Sequence, residues 1–485
     1  MKGGLLALRS TKVAFVLVTL ICTTFVIWGW DKTPFIVSLI PENQFFKISP
    51  DIFIGSPTKK TSDEVNKDTG NYLISPAIKE IAYKPNEKAF DVEAPNKDAN
   101  NVLLSPAINE TAYKHNEKVL DVEAPNSSPT KHDKRPNRVC NYAKGKWVED
   151  DHRPFYSGGR CRQWLSEMWA CRVTDRTDFS FEKFRWQPDD CEMDEFSGIK
   201  FLRRMRNKTL AFIGDSLGRQ QFQSLMCMVS GGKERRDVID VGWEYGLVKA
   251  RGALRPDGWA YRFTRTNATI LFYWSACLCD LQKLNPSDSK SEVAMHLDRP
   301  PAFLRQFLDK FDILVLNTGH HWNRGKLDAN HWVMHVGGIP TPDKNMLEAK
   351  NLAIASVVKW VDSQLPYHPN LKAFYRSISP RHFFNGDWNS GGTCDNMNPL
   401  SKGKEVLKEE SADPAAAKAV KGTNVTLLDI TALSELRDEG HISKYSIRPS
   451  PGMQDCLHWC LPGVPDTWNE ILFAQLPTSR KKLQL

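Results

Sequence analysis

The chain has 485 residues and a mass of 55.2 kDa, too long for one ordinary domain and long enough to bury a sizeable core. Hydrophobic residues are 41% and charged residues 25%; 65 Lys plus Arg against 57 Asp plus Glu leave a formal charge of +8. So mild an excess, with no basic run longer than Arg480-Lys481-Lys482, excludes a nucleic-acid-binding footprint, and no collagen period, heptad array or cysteine-dense miniprotein pattern is present.

The first element is the uncharged run from Val13 to Trp30. As a helix it would span ~27 Å, slightly short of a ~30 Å hydrocarbon core. Lys2, Arg9 and Lys12 precede it, which predicts a cytosolic tail over 1–12, a signal anchor over 13–30 and a lumenal remainder. A cleaved signal peptide is the competing reading; it fits less well because the run ends in Ile27-Trp28-Gly29-Trp30 without a small-x-small site. Of eleven cysteines, Cys22 lies in the span, and the other ten allow up to five disulfides in an oxidising compartment. Asn109, Asn126, Asn207, Asn267 and Asn424 open Asn-x-Ser/Thr triplets and are glycosylation candidates.

Residues 31–136 read as a disordered stem, rich in Lys, Asn, Glu, Ser and Pro and poor in aromatics. Within it 73–96 recurs as 103–126, a period of 30 residues. Two copies are too few for a stacked solenoid and suit a duplicated spacer, or a tandem partner-binding element. From 137 to 485 the composition is that of a folded domain, the candidate catalytic domain once the motifs below are considered. Cys140, Cys161, Cys171 and Cys191 arrive among Trp147, Trp164, Trp169 and Trp186 without long periodic elements, predicting a disulfide-held, loop-rich flap.

The remainder reads as α/β. Lys208–Ile213 is a strand candidate, followed by a Gly-Asp-Ser turn and a helix over about 217–229. A hairpin is expected around Asn267, and Phe311–Leu316 is an apolar run suited to a strand buried on both faces. Leu347, Ile354, Val357, Val358, Val361 and Leu365 keep helical spacing, and Lys372–Ile378 and Val425–Ile430 complete the strand set. Strands alternating with helices imply a mostly parallel sheet with functional groups at its carboxyl end.

That rule selects the loops after Ile213, Leu316 and Ile378; the first two, and a segment near the C-terminus, carry candidate chemistry. In Gly214-Asp215-Ser216, the serine would stand at a helix N-terminus, where free N–H groups favour a developing anion. In Asp455-Cys456-Leu457-His458-Trp459-Cys460, Asp455 can fix the tautomer of His458, whose other nitrogen would take the Ser216 proton. A buried histidine in a disulfide knot, or zinc on Cys456, His458 and Cys460, are the rival readings; the zinc site lacks a C-x-x-C partner pair, and no metal is expected. The loop after Leu316, Asn317-Thr318-Gly319-His320-His321-Trp322, offers the Asn317 amide as an oxyanion donor, with structural or substrate roles for the two histidines. Arg219, Trp322 and Trp459 are further oxyanion or substrate-binding candidates, and Trp388 is a possible sugar platform.

The order of Gly-Asp-Ser and Asp-x-x-His resembles the SGNH or GDSL hydrolase superfamily. FRWQPDDC (184–191), FIGDSLGRQQ (212–221), LVLNTGHHW (314–322), YRSISPRHFFNGDWNSGGTC (375–394) and DCLHWCLPGVPDTWNEIL (455–472) further resemble the plant trichome birefringence-like family over about 70% of the chain. That resemblance implies an SGNH-hydrolase-like three-layer sandwich in a Golgi type II membrane protein that O-acetylates a cell-wall polysaccharide: xylan, mannan, xyloglucan or pectin. It assigns Ser216 as nucleophile, His458 as base and Asp455 as its orienter. No bound cofactor is expected; an acetyl donor enters as co-substrate, and the partners are the polysaccharide acceptor and the Golgi membrane, with no nucleic acid. The family usually carries Arg-Asn after GDSL-x, whereas here Arg219 precedes Gln220. A polysaccharide acetylesterase with the same triad and a non-catalytic wall-glycan binder remain as alternatives.

Overall fold

The computed structural model describes residues 140–477, apart from 252, 254, 289 and 448–452. The expected anchor, the stem with its duplication, Cys22, Asn109 and Asn126 lie outside the described residues. Among those described, no helix is long and apolar enough to cross a membrane.

A seven-stranded sheet organises residues 209–428. Its strands are β1 (Thr209–Gly214), β2 (Val238–Asp240), β3 (Gly258–Phe263), β4 (Ala268–Trp274), β5 (Ile313–Leu316), β6 (Lys372–Arg376) and β7 (Thr426–Leu428). They lie in the order β7-β6-β5-β1-β4-β3-β2. The five from β7 to β4 are parallel, and β3 and β2 continue antiparallel. The mostly parallel sheet, the buried β5 and the hairpin around Asn267 all match expectation.

Alternation along the strands explains the layering. Leu210, Phe212, Ile313, Val315 and Phe374 face one core, while Ala211, Ile213, Leu314, Leu316 and Tyr375 face the other. Helices α1 (Ser216–Ser230) and α3 (Val464–Ala474) pack on the first face through Leu217, Phe222, Leu225, Trp468 and Ile471. Helix α2 (Met346–Gln364) covers the second through Ile354, Val357, Val358 and Val361. Leu347 keeps the period of α2 yet is 60% exposed, because it sits at the helix start, beyond the stripe that meets the sheet. Two smaller sheets were not foreseen: a four-stranded one built on Asp280–Lys283, Val293–His296, Trp332–Val336 and Ile339–Pro340, and a three-stranded one joining Gly145–Glu149 and Phe184–Pro188 to Glu405–Val406. Strands of two to five residues are too short to show a period.

The flap is stapled as expected. Cys140 bonds Cys191 within it; Cys161 bonds Cys227 of α1, and Cys171 bonds Cys460. Cys277–Cys279 and Cys394–Cys456 complete the five disulfides of the described residues. Replacing Cys171 and Cys460 together by Ser is expected to lower unfolding stability by about 2–5 kcal/mol, since a long loop is released in the unfolded chain. Thermal or denaturant melting under non-reducing conditions measures it.

Candidate active site

Strand β1 ends at Gly214, and α1 begins immediately at Ser216. Asp215 caps the helix: its Oδ1 accepts from the Leu217 N–H at 3.0 Å and from the Asn317 Nδ2 at 2.6 Å. Asn317, at the carboxyl end of neighbouring β5, is 3% exposed and seated in the notch left by two glycines. A Cβ on Gly214 would lie 2.0 Å from the Asn317 Oδ1, and one on Gly218 would lie 2.3 Å from it. The Asn317 amide therefore holds the Gly-Asp-Ser turn through Asp215 with one of its two N–H groups, a structural role beside the oxyanion role expected from sequence. The N–H of Ser216, at the start of α1, is a further candidate oxyanion donor. Gly214→Ala is expected to destabilise the fold by about 1–3 kcal/mol through overpacking, because the obstructing Asn317 atoms include its backbone oxygen, at 2.7 Å; melting of the variant tests this.

The candidate base, His458, arrives on a short antiparallel pair, β8 (His441–Ser443) and β9 (Asp455–Trp459). His441 opposes Trp459 and Ser443 opposes Asp455, so the segment between them bulges on the β9 side. The bulge brings Asp455 and His458 together, which a regular strand would place on opposite faces. Asp455 Oδ1 accepts from the backbone N–H groups of Leu457 at 3.2 Å and His458 at 2.9 Å, and the carboxylate receives the His458 Nδ1–H at 3.0 Å. Burial would raise the Asp455 carboxyl, but His458 and the two backbone donors outweigh it and hold it well below the usual carboxylate range. On the other side of the ring, His458 Nε2 lies 2.8 Å from Ser216 Oγ. Ser216, His458 and Asp455 are all partly exposed, so the hydrogen-bonded chain is open to an incoming molecule.

The walls come from distant segments. Trp169 of the flap stacks on the His458 ring at 5.9 Å, and the Arg219 guanidinium lies 4.6 Å above Trp169. The Trp169 carbonyl accepts from the Leu461 N–H at 2.9 Å, beside the Cys171–Cys460 staple. Trp459, taken from sequence as a substrate candidate, is 0% exposed: it donates to Ser379 Oγ at 2.9 Å and stacks on His441 at 3.9 Å, so it is core. Trp322 is half-buried and donates to Thr318 Oγ1 at 2.9 Å; Trp388 is exposed. Arg219 is 7% exposed against the flap.

Behind the base, His441 Nδ1 donates to the His458 carbonyl at 3.0 Å, and its Nε2 meets His382 Nδ1 at 2.7 Å. Burial pushes His441 down and His382 down to about 4. His320 donates to the Ser379 carbonyl at 2.7 Å and burial pushes it down to about 4, while His321 packs edge-on against Trp274. Among the described residues no three His, Cys, Asp or Glu side chains converge as a metal site, and Cys456 and Cys460 are each in a disulfide. Trp169, His382 and His441 were missed as parts of this site: their roles arise from contacts between remote segments, and no local spacing marks them.

Residues 193–475 match the PC-Esterase model, described as a GDSL/SGNH-like acyl-esterase family found in Pmr5 and Cas1p, and residues 138–192 match the PMR5 N-terminal domain. The chain is 62% identical over 353 residues to protein trichome birefringence-like 14 of Arabidopsis thaliana, covering 70% of this chain and 86% of that protein. It is 57% identical over 351 residues to protein trichome birefringence-like 15 of the same plant, with coverage of 70% and 71%. To protein trichome birefringence, also of Arabidopsis thaliana, it is 32% identical over 348 residues, with coverage of 70% and 56%.

Proposed function

We propose, from the premise that this chain belongs to the trichome birefringence-like family and carries its PC-esterase domain, that it transfers acetyl groups to hydroxyls of a plant cell-wall polysaccharide. The observation that carries the reading is the chain of contacts from Ser216 Oγ to His458 Nε2 at 2.8 Å and from His458 Nδ1 to Asp455 at 3.0 Å.

The reaction runs in two halves. Ser216 Oγ attacks the acetyl carbonyl of a donor while His458 Nε2 takes its proton. The tetrahedral oxyanion sits against the N-terminal N–H groups of α1 and collapses, and His458 returns the proton to the leaving group. A sugar hydroxyl then gives its proton to His458 and attacks the acetyl-serine, forming the sugar ester and restoring Ser216. Asp455, charged and hydrogen-bonded to Nδ1, keeps Nε2 free as base and stabilises the imidazolium in both halves. Water competes for the acetyl-serine, so transfer requires a glycan held at high effective molarity. Trp322 and Trp388 are our candidates for holding its apolar sugar faces.

We place the protein in the Golgi membrane, with residues 1–12 cytosolic, 13–30 as anchor and the catalytic domain lumenal. The uncharged 13–30 run supports this, as do the disulfides, which require an oxidising compartment. The test is to incubate the purified full-length chain with an acetyl donor and deacetylated xylan, mannan, xyloglucan and pectin oligosaccharides. Mass spectrometry is expected to find one class acetylated. Free acetate as the sole product would make the protein an esterase, and no turnover of any donor would leave a glycan binder.

A further inference from the structure

The serine and the base sit on separate elements, α1 and β9, 242 residues apart in sequence. The 2.8 Å contact between them needs something to fix one element against the other. Gln220 stands four residues after Ser216, one turn further along α1 or ~6 Å by helical rise. It is 0% exposed. Its side-chain amide makes two hydrogen bonds to one residue of β9: Nε2 donates to the Trp459 carbonyl at 2.7 Å, and Oε1 accepts from the Trp459 N–H at 3.1 Å. Trp459 directly follows His458. We propose that Gln220 is the positioning residue of this site, a clamp that sets the base strand against the nucleophile helix; this rests on the reading of Ser216 and His458 as nucleophile and base.

Three features make the clamp specific. Strand β9 pairs with β8 on one side. Across the other, the Gln220 amide presents a donor and an acceptor side by side, as the backbone of a further strand would. The path from Ser216 to His458 through it is one helical turn, one side chain and one peptide, short enough to transmit little slack. Finally, β9 bulges between Asp455 and Trp459, so its own ladder does not hold the His458 backbone in register.

The clamp acts through His458 and touches no substrate, so its loss should slow activation of Ser216 and leave binding intact. A displacement of about 1 Å at a reacting pair costs about 10²-fold. The experiment uses the full chain and a fluorophosphonate probe, which phosphonylates an activated serine whatever the natural donor is. Gln220→Met keeps the volume and removes both hydrogen bonds. Gln220→Glu keeps the shape and the acceptor but, when ionised, cannot donate to the Trp459 carbonyl. Both are expected to melt cooperatively. The maximal rate of Ser216 labelling in Gln220→Met should fall about 10²-fold, with the probe concentration for half-maximal rate unchanged. The Gln220→Glu deficit should shrink as pH falls, because its protonated carboxyl regains a donor, while the Gln220→Met deficit stays constant. His458, Asp455, His441 and His382 are common to both variants and cancel from the comparison. Wild-type labelling rates in both variants, or deficits that change identically with pH, would overturn the clamp. An unlabelled wild-type Ser216 would instead overturn the nucleophile reading beneath it.

Discussion

Ser216→Ala is expected to abolish formation of an acetyl-enzyme and to cut acetyl transfer by about 10⁴-fold or more, the loss typical when the nucleophile of such a triad is removed. The substitution deletes one oxygen from a partly exposed side chain at the first position of α1, where the cap is supplied by Asp215. Folding should therefore be unaffected, and melting should match the wild-type chain. Intact-protein mass spectrometry after brief mixing with donor should show an acetyl adduct on the wild-type chain and none on the variant. A variant that transfers acetyl as fast as the parent would show that Ser216 Oγ is not the acyl carrier, whatever its distance from His458.

The second large effect is expected from Asp455→Asn, about 10⁴-fold in turnover with little change in acceptor affinity. The cause lies in the donors around the carboxylate. Oδ1 receives two backbone N–H groups, from Leu457 and His458, so the oxygen of an introduced amide must occupy that position. Its NH₂ then falls at Oδ2, which lies 3.0 Å from His458 Nδ1. Two donors cannot share that contact, so the ring adopts the other tautomer and presents Nε2–H to Ser216. A base that already carries its proton cannot take another. The initial rate of acetyl-enzyme formation measures the effect; a rate within threefold of wild type would remove Asp455 from the mechanism. Stability should respond as well. The folded pKa of Asp455 lies below its unfolded value, ordinarily about 3.9, so its contribution is fully present above that value and is lost as pH falls through the folded pKa. The Asn variant lacks this contribution at neutral pH.

The candidate triad was legible because each of its members is tied to a local pattern. Ser216 follows an apolar strand and opens a helix, and Asp455 and His458 stand three apart between two cysteines. The sheet was legible wherever strands were long or wholly apolar, as in β1 and β5. What escaped depends on contacts across the chain. Trp169 reaches the His458 ring from the flap, and Gln220 reads as an ordinary helix residue until β9 lies beside it. Asn317 illustrates a subtler limit. Its place beside the Gly-Asp-Ser loop followed from the strand rule, but its partner did not: position follows from topology, and the orientation of an amide follows from packing between Gly214 and Gly218. Trp459 was misjudged for the same reason, since adjacency to a catalytic residue carries no information about which way a ring points.

The Cys171–Cys460 bond joins residues 289 positions apart and fastens Trp169, the ring against His458, to the residue that directly follows β9. During synthesis Cys171 of the flap leaves the ribosome 289 residues ahead of Cys460. A nascent chain can close the Cys140–Cys191 and Cys161–Cys227 bonds long beforehand, but the wall of the site cannot be fastened until Cys460 has emerged. Products terminated before Cys460 therefore lack the covalent tie between Trp169 and the His458 segment.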